Sequence, residues 1–220
     1  MIDSFSGEYE FLSNFYPCEV RYGDNTYPTA EHAFQASKTL DEAERQKVHQ
    51  ASTPGMAKQA GRKVTLRRNW EKVKIRKMTF IVREKFKNQD LRDKLISTGD
   101  QELVEGNNWN DTFWGVCKGK GQNQLGKILV QIREEIKMDE WNKIVEKIFD
   151  INTHDTRYGG GVSALYADML KHKYKDKDRE QLGSAADKFI DETLNWHEEH
   201  RHNFQIHPSF ETRILEIMND

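Results

Sequence analysis

Three polar side chains near residue 35 have the types and the spacing for proton transfer and covalent chemistry. The sequence TAEHAFQASKT begins at Thr29, and we expect Thr29 to be the N-cap of a helix that starts near Ala30. At about 100° per residue, Glu31, Gln35 and Lys38 fall within roughly 60° of one another. A carboxylate can carry a proton, and a neutral lysine amine can attack carbon. This polar stripe is therefore predicted to face a site.

A glutamate and a lysine on one helix face can also form an ordinary solvated surface. Glu31 and Lys38 are seven residues apart, beyond the three or four that usually bring helical side chains into contact. His32 and Phe34 flank the stripe, and neither suits a purely solubilising face. A small face that can pack lies opposite, formed by Ala33, Ala36, Ser37 and Leu40.

Composition places the chain among polar globular proteins. Its 220 residues are enough for one domain with a substantial core, or for one domain and a smaller appendage. Hydrophobic residues make up 36% and charged residues 32% of the chain, with aromatic residues present, which argues against a disordered protein. The formal net charge of -2 does not indicate broad binding to nucleic acid, although a local basic groove is compatible with it.

The sequence gives no sign of a membrane or secreted protein. No segment is apolar enough to span a bilayer, and the N-terminal residues MIDSFS lack the basic start and the apolar run of a secretory signal. Cys18 and Cys117 lack the spacing of metal ligands. We therefore expect reduced thiols in a cytoplasmic protein.

Periodicity and turn residues predict the order of elements. We expect a hairpin around Cys18–Tyr22 and Thr26–Tyr27, and a helix over Asp41–Gln50 that the run Thr53-Pro54-Gly55 ends. Further helices are predicted over 56–60, 69–88, 90–97 and 123–137, and strands over 102–106 and 113–117. The buried stripes of the two longest are expected to be Val73, Met78, Ile81, Val82 and Phe86, then Leu125, Ile128, Leu129, Ile132 and Ile136. From Met138 the chain reads as wholly helical, so we place a domain boundary there.

The sequence GQNQLGK at residues 121–127 spells the opening of a phosphate-binding loop. The next residue is Ile128, where a serine or threonine is needed to hold magnesium, and Gly126 falls inside the predicted helix, so we interpret the match as chance. In a weaker alternative, backbone N–H groups near Gly119 and Gly121 bind one phosphate at the helix start. Lys118 and Lys120 would assist. An ordinary glycine-rich turn explains the sequence equally well.

The run NNWND at residues 107–111 is rich in side chains that form hydrogen bonds or stack. Trp109, Phe113 and Trp114 cannot all face one core across a turn, so at least one is expected to meet a substrate ring or to cover the pocket. Asp111 is the single acid of the run. It can position a ligand hydroxyl or cap a turn, and the sequence leaves both roles open.

Four histidines lie near the C-terminus, at His197, His200, His202 and His207. Their spacing is not H-E-x-x-H, no suitable cysteine lies nearby, and they end a highly charged helical stretch. A solvated face is therefore favoured over a metal site. We expect neither a metal nor a cofactor.

Six short motifs follow one another along the chain. They are FLSNFYP from Phe11, EHAFQASK from Glu31, Gly61-Arg62, LVEGN from Leu103, DTFWG from Asp111 and GQNQLG from Gly121. Together they closely resemble the NADAR family, also called YbiA-like. The resemblance covers about residues 5–137, and several motifs in order are far more specific than any one alone.

The resemblance implies a compact, mainly helical α+β domain with a few short strands over residues 1–137. Residues 138–220 lie outside it and are expected to form an all-helical extension of unknown role. The implied enzyme is a hydrolase, an N-glycosidase that cleaves the bond between a ribose and a nitrogen. Some family members act on phosphoribosylated pyrimidine intermediates of riboflavin synthesis, and others remove ADP-ribose from guanine in nucleic acid. The implied partner is therefore a small ribosylated substrate or an ADP-ribosylated nucleic acid, with the oligomeric state open.

The resemblance also implies roles for individual residues. Lys38 is the implied nucleophile that captures the sugar carbon as an imine, Glu31 is the proton shuttle, and Asp111 is a third catalytic residue. The implied substrate-binding residues are Asn14, Phe15, His32, Gln35, Gly61, Arg62, Asn107, Trp114, Gly115 and Gln124. An imine requires a neutral amine, which burial and a neighbouring cation favour.

Two alternatives without catalysis stay open at this stage. One is a module that binds ADP-ribose or NAD through the same aromatic residues and does not need Lys38. The other is an interaction protein that acts through its helical tail, with the first domain as a scaffold. The basic stretch of that tail, residues 171–179, is interrupted by Asp176 and Asp178, so a mixed-charge surface is expected there rather than a strand-binding one.

Overall fold

Helices dominate the part of the chain that the structure describes, which is residues 1–137 and residue 139 of a computed structural model. The elements in chain order are a 3-10 helix (Gly7–Leu12), β1 (Val20–Tyr22), β2 (Asn25–Tyr27), α1 (Ala30–Ala36), α2 (Glu42–His49), α3 (Pro54–Gly61), α4 (Trp70–Lys85), α5 (Gln89–Ser97), β3 (Gly106–Asn107), β4 (Val116–Cys117) and α6 (124–137). β1 and β2 form an antiparallel hairpin, and β3 and β4 a parallel pair. The predicted α+β, mainly helical fold is confirmed.

The α1 helix lies at the centre of this fold, packed against α2, α3, α4 and the hairpin of β1 and β2. All of its residues are buried, polar and apolar alike. Thr29 is the N-cap, as predicted, and its hydroxyl accepts a hydrogen bond from the backbone N–H of His32 over 3.3 Å. The polar face of α1 is therefore enclosed by protein and is not exposed to solvent.

The α1 helix ends earlier than the sequence predicts. The Ser37 hydroxyl donates to the backbone carbonyl of Phe34 over 2.7 Å, and the N–H of Lys38 donates to the carbonyl three residues back over 3.3 Å. This turn is tighter than an α-helical turn, because side-chain and backbone groups compete for the same carbonyls. Lys38 consequently lies beyond the helix, and Leu40, which we expected to pack, is 65% exposed.

The beginning of α3 also differs from the prediction. Thr53, Pro54 and Gly55 do not form a break between two helices, with a helix starting at Met56. Instead, Thr53 is the N-cap of α3, and its hydroxyl accepts a hydrogen bond from the Met56 N–H over 3.2 Å. Pro54 occupies the first turn, where a backbone N–H has no acceptor within the helix, so proline's lack of an N–H costs nothing there.

The predicted apolar stripes of the two longest helices are confirmed. In α4 and α6 the buried side chains include Val73, Met78, Ile81, Val82, Phe86, Leu125, Ile128, Leu129, Ile132 and Ile136. They join Leu12, Tyr27 and the alanines of α1 in one hydrophobic core. Since each buried side chain of this size contributes roughly 1.5–3 kcal/mol, this core holds α1 firmly in place.

The strands predicted over 102–106 and 113–117 are wrong over most of their length, because β3 and β4 have two residues each. Backbone groups that would form a ladder have other partners. The N–H groups of Phe113 and Trp114 donate to the Asp111 carboxylate over 3.1 and 2.8 Å. The carbonyls of the same two residues accept hydrogen bonds from the start of α6.

Several predictions concern features that the structure tests only in part. No helix among the described residues is long and apolar enough to cross a membrane, and no group of three or more histidine, cysteine, aspartate or glutamate residues there could hold a metal ion. Cys18 is a half-buried free thiol and Cys117 a buried one. The C-terminal histidines, the basic stretch 171–179 and the helices expected after Met138 lie outside the described residues. The domain boundary stays a prediction.

Candidate active site

Glu31 is a buried carboxylate at the centre of the fold, with only 5% of its surface exposed. Its Oε1 accepts a hydrogen bond from Nε2 of Gln35 over 2.8 Å, and its backbone N–H donates to the carbonyl of Asn14 over 2.9 Å. Burial raises the pKa of Glu31, while the Gln35 hydrogen bond and the charges of Lys58 and Lys38 lower it. Glu31 therefore holds a proton more readily than an exposed glutamate does.

Lys38 brings an amine to the same region. Its Nζ lies 5.9 Å from the centroid of the Phe34 ring and makes no ion pair within residues 1–137. Burial lowers the pKa of Lys38; the negative charge of Glu31 opposes this, and the positive charges of Lys58 and Arg62 lower the pKa further. A larger fraction of the amine is then neutral, which is the form that attacks carbon.

Three buried side-chain oxygens of the described residues have no hydrogen-bond partner, and all three belong to this region. They are Asn14 Oδ1, Gln35 Oε1 and Glu105 Oε2. Asn14 and Gln35 are both bonded to Glu31 through other atoms, and Glu105 interacts with Glu31 through its charge. Buried polar atoms without partners cost stability. Their convergence here is typical of a site that a ligand completes.

Two cations of α3 border the site. Lys58 and Arg62 are one helical turn apart, and the positive charges of both act on Lys38. The Lys58 Nζ lies 5.7 Å from the centroid of the Phe15 ring, which is 40% exposed. The structure therefore brings Phe15 and Arg62, both predicted from the sequence, to the side of the site where Lys38 lies.

Two glycines of the predicted site leave room for polar side chains. A β-carbon at Gly61 would overlap the side chain of Gln35. A β-carbon at Gly115 would lie 2.9 Å from Cγ of Glu105 and would overlap the Glu105 carbonyl oxygen. Because any larger residue would displace Gln35 or Glu105, both glycines help to position these side chains.

Glu105 and Lys85 are charged groups of this region that the sequence analysis did not select. Burial raises the pKa of Glu105 to about 7, with the Asp111 charge adding to the effect and Lys85 opposing it. Lys85 is 1% exposed, burial lowers its pKa to about 8, and its Nζ donates to the Ser13 carbonyl over 2.6 Å. One signal for Glu105 was available, since it lies inside the motif LVEGN.

The loop that begins at Asn107 satisfies its own polar groups. Asn107 Nδ2 donates to the carbonyl of Asp111 over 2.8 Å, and Asn107 Oδ1 accepts the Asp111 N–H over 3.1 Å. Asp111 Oδ1 accepts two further backbone N–H groups, so the structure shows Asp111 capping a turn. Its negative charge also raises the pKa values of Glu31 and Glu105. Asn107 is explained as a loop anchor, because a ligand would have to break these bonds.

The three aromatic rings near this loop differ in environment. Trp109 is 61% exposed. Trp114 is half-buried and makes edge contacts with Phe34 and Phe113, at centroid distances of 5.3 and 4.9 Å. The Nζ of Lys74 lies 3.8 Å from the centroid of Phe113. The rings do not all face one core, as predicted, and contact between Trp114 and a substrate stays a prediction.

The N–H groups at the start of α6 already have partners. The N–H groups of Gln122, Asn123, Gln124 and Leu125 donate to carbonyls of the preceding loop over 2.8–3.3 Å. These bonds suit an ordinary turn, and phosphate binding by N–H groups near Gly119 and Gly121 stays an open alternative. Gly126 lies within α6, in keeping with a chance motif match. The Gln124 side chain donates to Gln122 Oε1 over 3.2 Å, which keeps its amide within the turn.

His32 is a buried side chain of α1. It is 1% exposed, and its Nε2 donates to the Ala51 carbonyl over 3.0 Å. Its Nδ1 then accepts from the Thr29 hydroxyl over 2.7 Å. Burial lowers the pKa of His32, which favours this neutral ring. Both ring nitrogens therefore have partners within the protein, and contact between His32 and a substrate stays a prediction.

Comparison with known proteins follows the same part of the chain. Residues 3–137 match the NADAR domain. The N-glycosidase YbiA of Shigella flexneri serotype 5b (strain 8401) is 40% identical over 141 residues, which cover 62% of this chain and 88% of that protein. An N-glycosidase of Nostoc punctiforme is 42% identical over 136 residues, 59% of this chain and 86% of that protein. A riboflavin biosynthesis protein of Vibrio vulnificus is 40% identical over 130 residues, 57% of this chain and 35% of that protein.

A solved structure agrees with these sequence matches. The NMR structure of the Escherichia coli protein YbiA is similar to this chain with a TM-score of 0.57 and 37% sequence identity, covering 64% of this chain and 89% of that one. Motif order, sequence identity and fold thus point to one family over the same residues. The chain belongs to the NADAR domain family.

Proposed function

We propose that this protein is an N-glycosidase that hydrolyses the bond between a ribose and a nitrogen through a covalent imine on Lys38. The observation that carries the proposal is a pair of groups: the half-buried Lys38 amine with a lowered pKa and the buried Glu31 carboxyl with a raised one. These opposed shifts bring the two pKa values closer together, which favours proton transfer between the two groups. Two relatives are named N-glycosidases, which supports the same class of reaction.

The proposed reaction consumes one water and no other reactant. The neutral Lys38 amine attacks the anomeric carbon while the bond to the leaving nitrogen breaks; the electron pair of that bond stays on the nitrogen, which leaves with a proton, and Glu31 takes the proton that the amine loses. Glu31 returns that proton to the ring oxygen as the sugar ring opens, which leaves an imine between Lys38 and the anomeric carbon. Water adds to the imine carbon, the bond to Lys38 breaks, and the free sugar departs.

We propose a small phosphoribosylated molecule as the substrate, in preference to an ADP-ribosylated nucleic acid. Lys58 and Arg62 make no ion pair within the described residues, so their charges are available to a phosphate. The Vibrio relative is named a riboflavin biosynthesis protein, which fits such a substrate. Phe15 and Trp114 are the rings we propose to lie against the leaving base.

Incubation of the purified protein with a phosphoribosylated riboflavin intermediate, and separately with DNA ADP-ribosylated on guanine, tests the proposal. We expect mass spectrometry to detect free base and ribose phosphate from the first substrate, and no release by Lys38→Ala. Release from the DNA alone would keep the reaction class and replace the substrate. Tight binding of both substrates without any release would contradict the proposal and favour a binding module.

We also propose that residues 1–137 carry the activity without residues 138–220. The aligned part of the Shigella flexneri relative is nearly that whole protein, and it corresponds to the described part of this chain. A fragment that ends at Lys137 is expected to cleave the small substrate at the rate of the full chain. A folded but inactive fragment would give the C-terminal residues a part in catalysis.

A further inference from the structure

We infer that Glu105 is a further catalytic residue of this site, the acid whose proton goes to the nitrogen that leaves. The inference rests on the proposed glycosidase reaction and adds a group to it. Two protons move in the first step, one from the Lys38 amine and one to the leaving nitrogen. With Glu31 as the acceptor of the first proton, a second acid can deliver the other without delay.

The geometry of Glu105 suits this task. Its Oε2 is buried and has no hydrogen-bond partner. Its backbone is held on both sides, because its N–H donates to Asn123 Oδ1 over 3.0 Å and its carbonyl accepts the Val116 N–H over 2.8 Å. Gly115 leaves the space that the Glu105 Cγ needs. A side chain that is anchored at its base and unpaired at its tip is positioned for a partner that arrives with the ligand.

The charges around Glu105 keep its proton available. Burial raises the pKa of Glu105 to about 7; the negative charges of Asp111 and Glu31 add to the effect, and the positive charges of Lys58 and Lys85 oppose it. About half of the molecules then carry the proton at neutral pH, and a protonated carboxyl has one O–H to donate. A general acid works best when its pKa lies near the working pH.

A purely structural role explains Glu105 less well. The buried cation Lys85 could have paired with it, yet the Lys85 Nζ donates to the Ser13 carbonyl over 2.6 Å, and the two side chains form no ion pair among the described contacts. A buried carboxyl kept only for stability would be expected to use both oxygens. The Glu105 carboxyl instead leaves its buried Oε2 without a partner, and the negative charges of Asp111 and Glu31 act on it.

The bond between the anomeric carbon and the leaving nitrogen breaks, and its electron pair stays on that nitrogen, which takes the proton of Glu105. The new bond joins Lys38 Nζ to the anomeric carbon, and the amine proton passes to Glu31. Glu105 ends the step as a carboxylate and recovers its proton from water after the base has left. No oxidant or reductant takes part.

The test uses two substrates that share a ribose phosphate and differ in the leaving nitrogen. A ribosylated amide leaves as an anion unless it is protonated, whereas a phosphoribosyl pyridinium leaves as neutral pyridine and needs no proton. We expect Glu105→Gln to lower kcat for the amide by about 10²- to 10⁴-fold, and kcat for the pyridinium by less than about tenfold. Glu102→Gln, a change at an exposed glutamate of the same segment, is the matched control and should leave both rates unchanged.

The pH profile gives a second measurement that does not depend on the pyridinium being a substrate. For the wild-type protein, kcat on the amide should fall as pH rises through about 7, because Glu105 loses the proton it donates. The Glu105→Gln protein should not show this fall of kcat at alkaline pH. If Glu105 were only structural, Glu105→Gln would lower the rate without removing the pH dependence.

Equal losses on the two substrates, an unchanged rate on the amide, or an unchanged alkaline limb in Glu105→Gln would each overturn the inference. If Lys38→Ala is inactive while Glu105→Gln behaves as wild type, the proposed function stands and only the role of Glu105 falls. If the wild-type protein cleaves no ribosylated substrate, the proposed function fails, and this inference fails with it.

Discussion

The helix α1 and the loop from Asn107 to the start of α6 differ in whether their polar side chains have hydrogen-bond partners. Around α1, Gln35 and the neighbouring Asn14 each keep a buried oxygen without a partner, and Lys38 makes no ion pair within the described residues. In the loop, the Asn107 side chain and the Asp111 carboxylate are bonded to backbone groups. Both segments are rich in residues that could do chemistry, but only one leaves them available.

Buried polar atoms without partners distinguish a candidate site from the loop that supports it. A buried polar atom without a partner costs about 1–3 kcal/mol, so a protein gains nothing from keeping several of them together unless a ligand uses them. A saturated loop gives rigidity instead. We therefore assign the chemistry to the α1 side and the positioning to the loop, and the following changes should separate the two regions.

Replacing the proposed nucleophile should have the largest effect. Lys38→Ala is expected to lower kcat by more than the roughly 10²- to 10⁴-fold that one proton-transfer group contributes, because no other amine forms the imine. Steady-state release of the base measures it, and Lys47→Ala, at an exposed lysine of α2, serves as the control. A Lys38→Ala protein that turns over at the wild-type rate would end the assignment.

Replacing the proton shuttle should come next. Glu31→Gln keeps the size of the side chain and removes its charge, so we expect a folded protein whose kcat falls by about 10²- to 10⁴-fold. The thermal unfolding midpoint checks the fold, and Glu42→Gln on the exposed face of α2 is the matched control. Wild-type kcat in Glu31→Gln would return Glu31 to a structural role and would remove the contrast between the two regions.

A change in the loop should affect stability before it affects chemistry. Asn107→Ala removes the side chain that donates to Asp111 and accepts from it, at an expected cost of about 1–3 kcal/mol in the free energy of unfolding. Denaturation in urea measures that cost, with the exposed neighbour Asn108→Ala as the control. An unchanged unfolding free energy together with a large loss of kcat would place Asn107 in the site after all.

The buried carboxyl of Glu105 should make the free energy of unfolding depend on pH. The pKa of the folded state, about 7, lies above the ordinary value of 4.5. The contribution of Glu105 to stability is therefore fully present at low pH and is lost as pH rises to about 7. The advantage of Glu105→Gln over wild type should grow by about 1–3 kcal/mol between pH values of about 5 and 8. A constant difference, like that expected for Glu102→Gln, would mean that Glu105 is not buried as described.

The helices could be predicted from the sequence because their signals are local. Thr29 caps α1 as expected, and the stripe containing Val73 and Ile81 is buried as its spacing indicates. The strand over 113–117 could not be predicted from its own residues, because the partners of its backbone groups lie outside it, in the Asp111 side chain and at the start of α6. The residue types within the predicted strand do not show this competition.

The site shows the same division between local and distant information. The spacing of Glu31, Gln35 and Lys38 indicated a shared polar face, although Lys38 reaches that region from a turn and not from the helix. The buried position of His32 was not predicted, because its partner, the Ala51 carbonyl, lies on another segment of the chain. Glu105 was missed for a related reason, since burial by distant residues gives it an unusual proton affinity.

Chemical trapping is the direct test for an imine on Lys38. Borohydride added during turnover reduces an imine to a stable amine, and peptide mass spectrometry then locates the sugar on the protein. Imine formation on Lys38 predicts a reduced ribose phosphate on the peptide that contains Lys38. The adduct should be absent without substrate and absent from Lys38→Ala. A sugar attached instead to Lys58, or full turnover at saturating borohydride with no adduct at all, would contradict it.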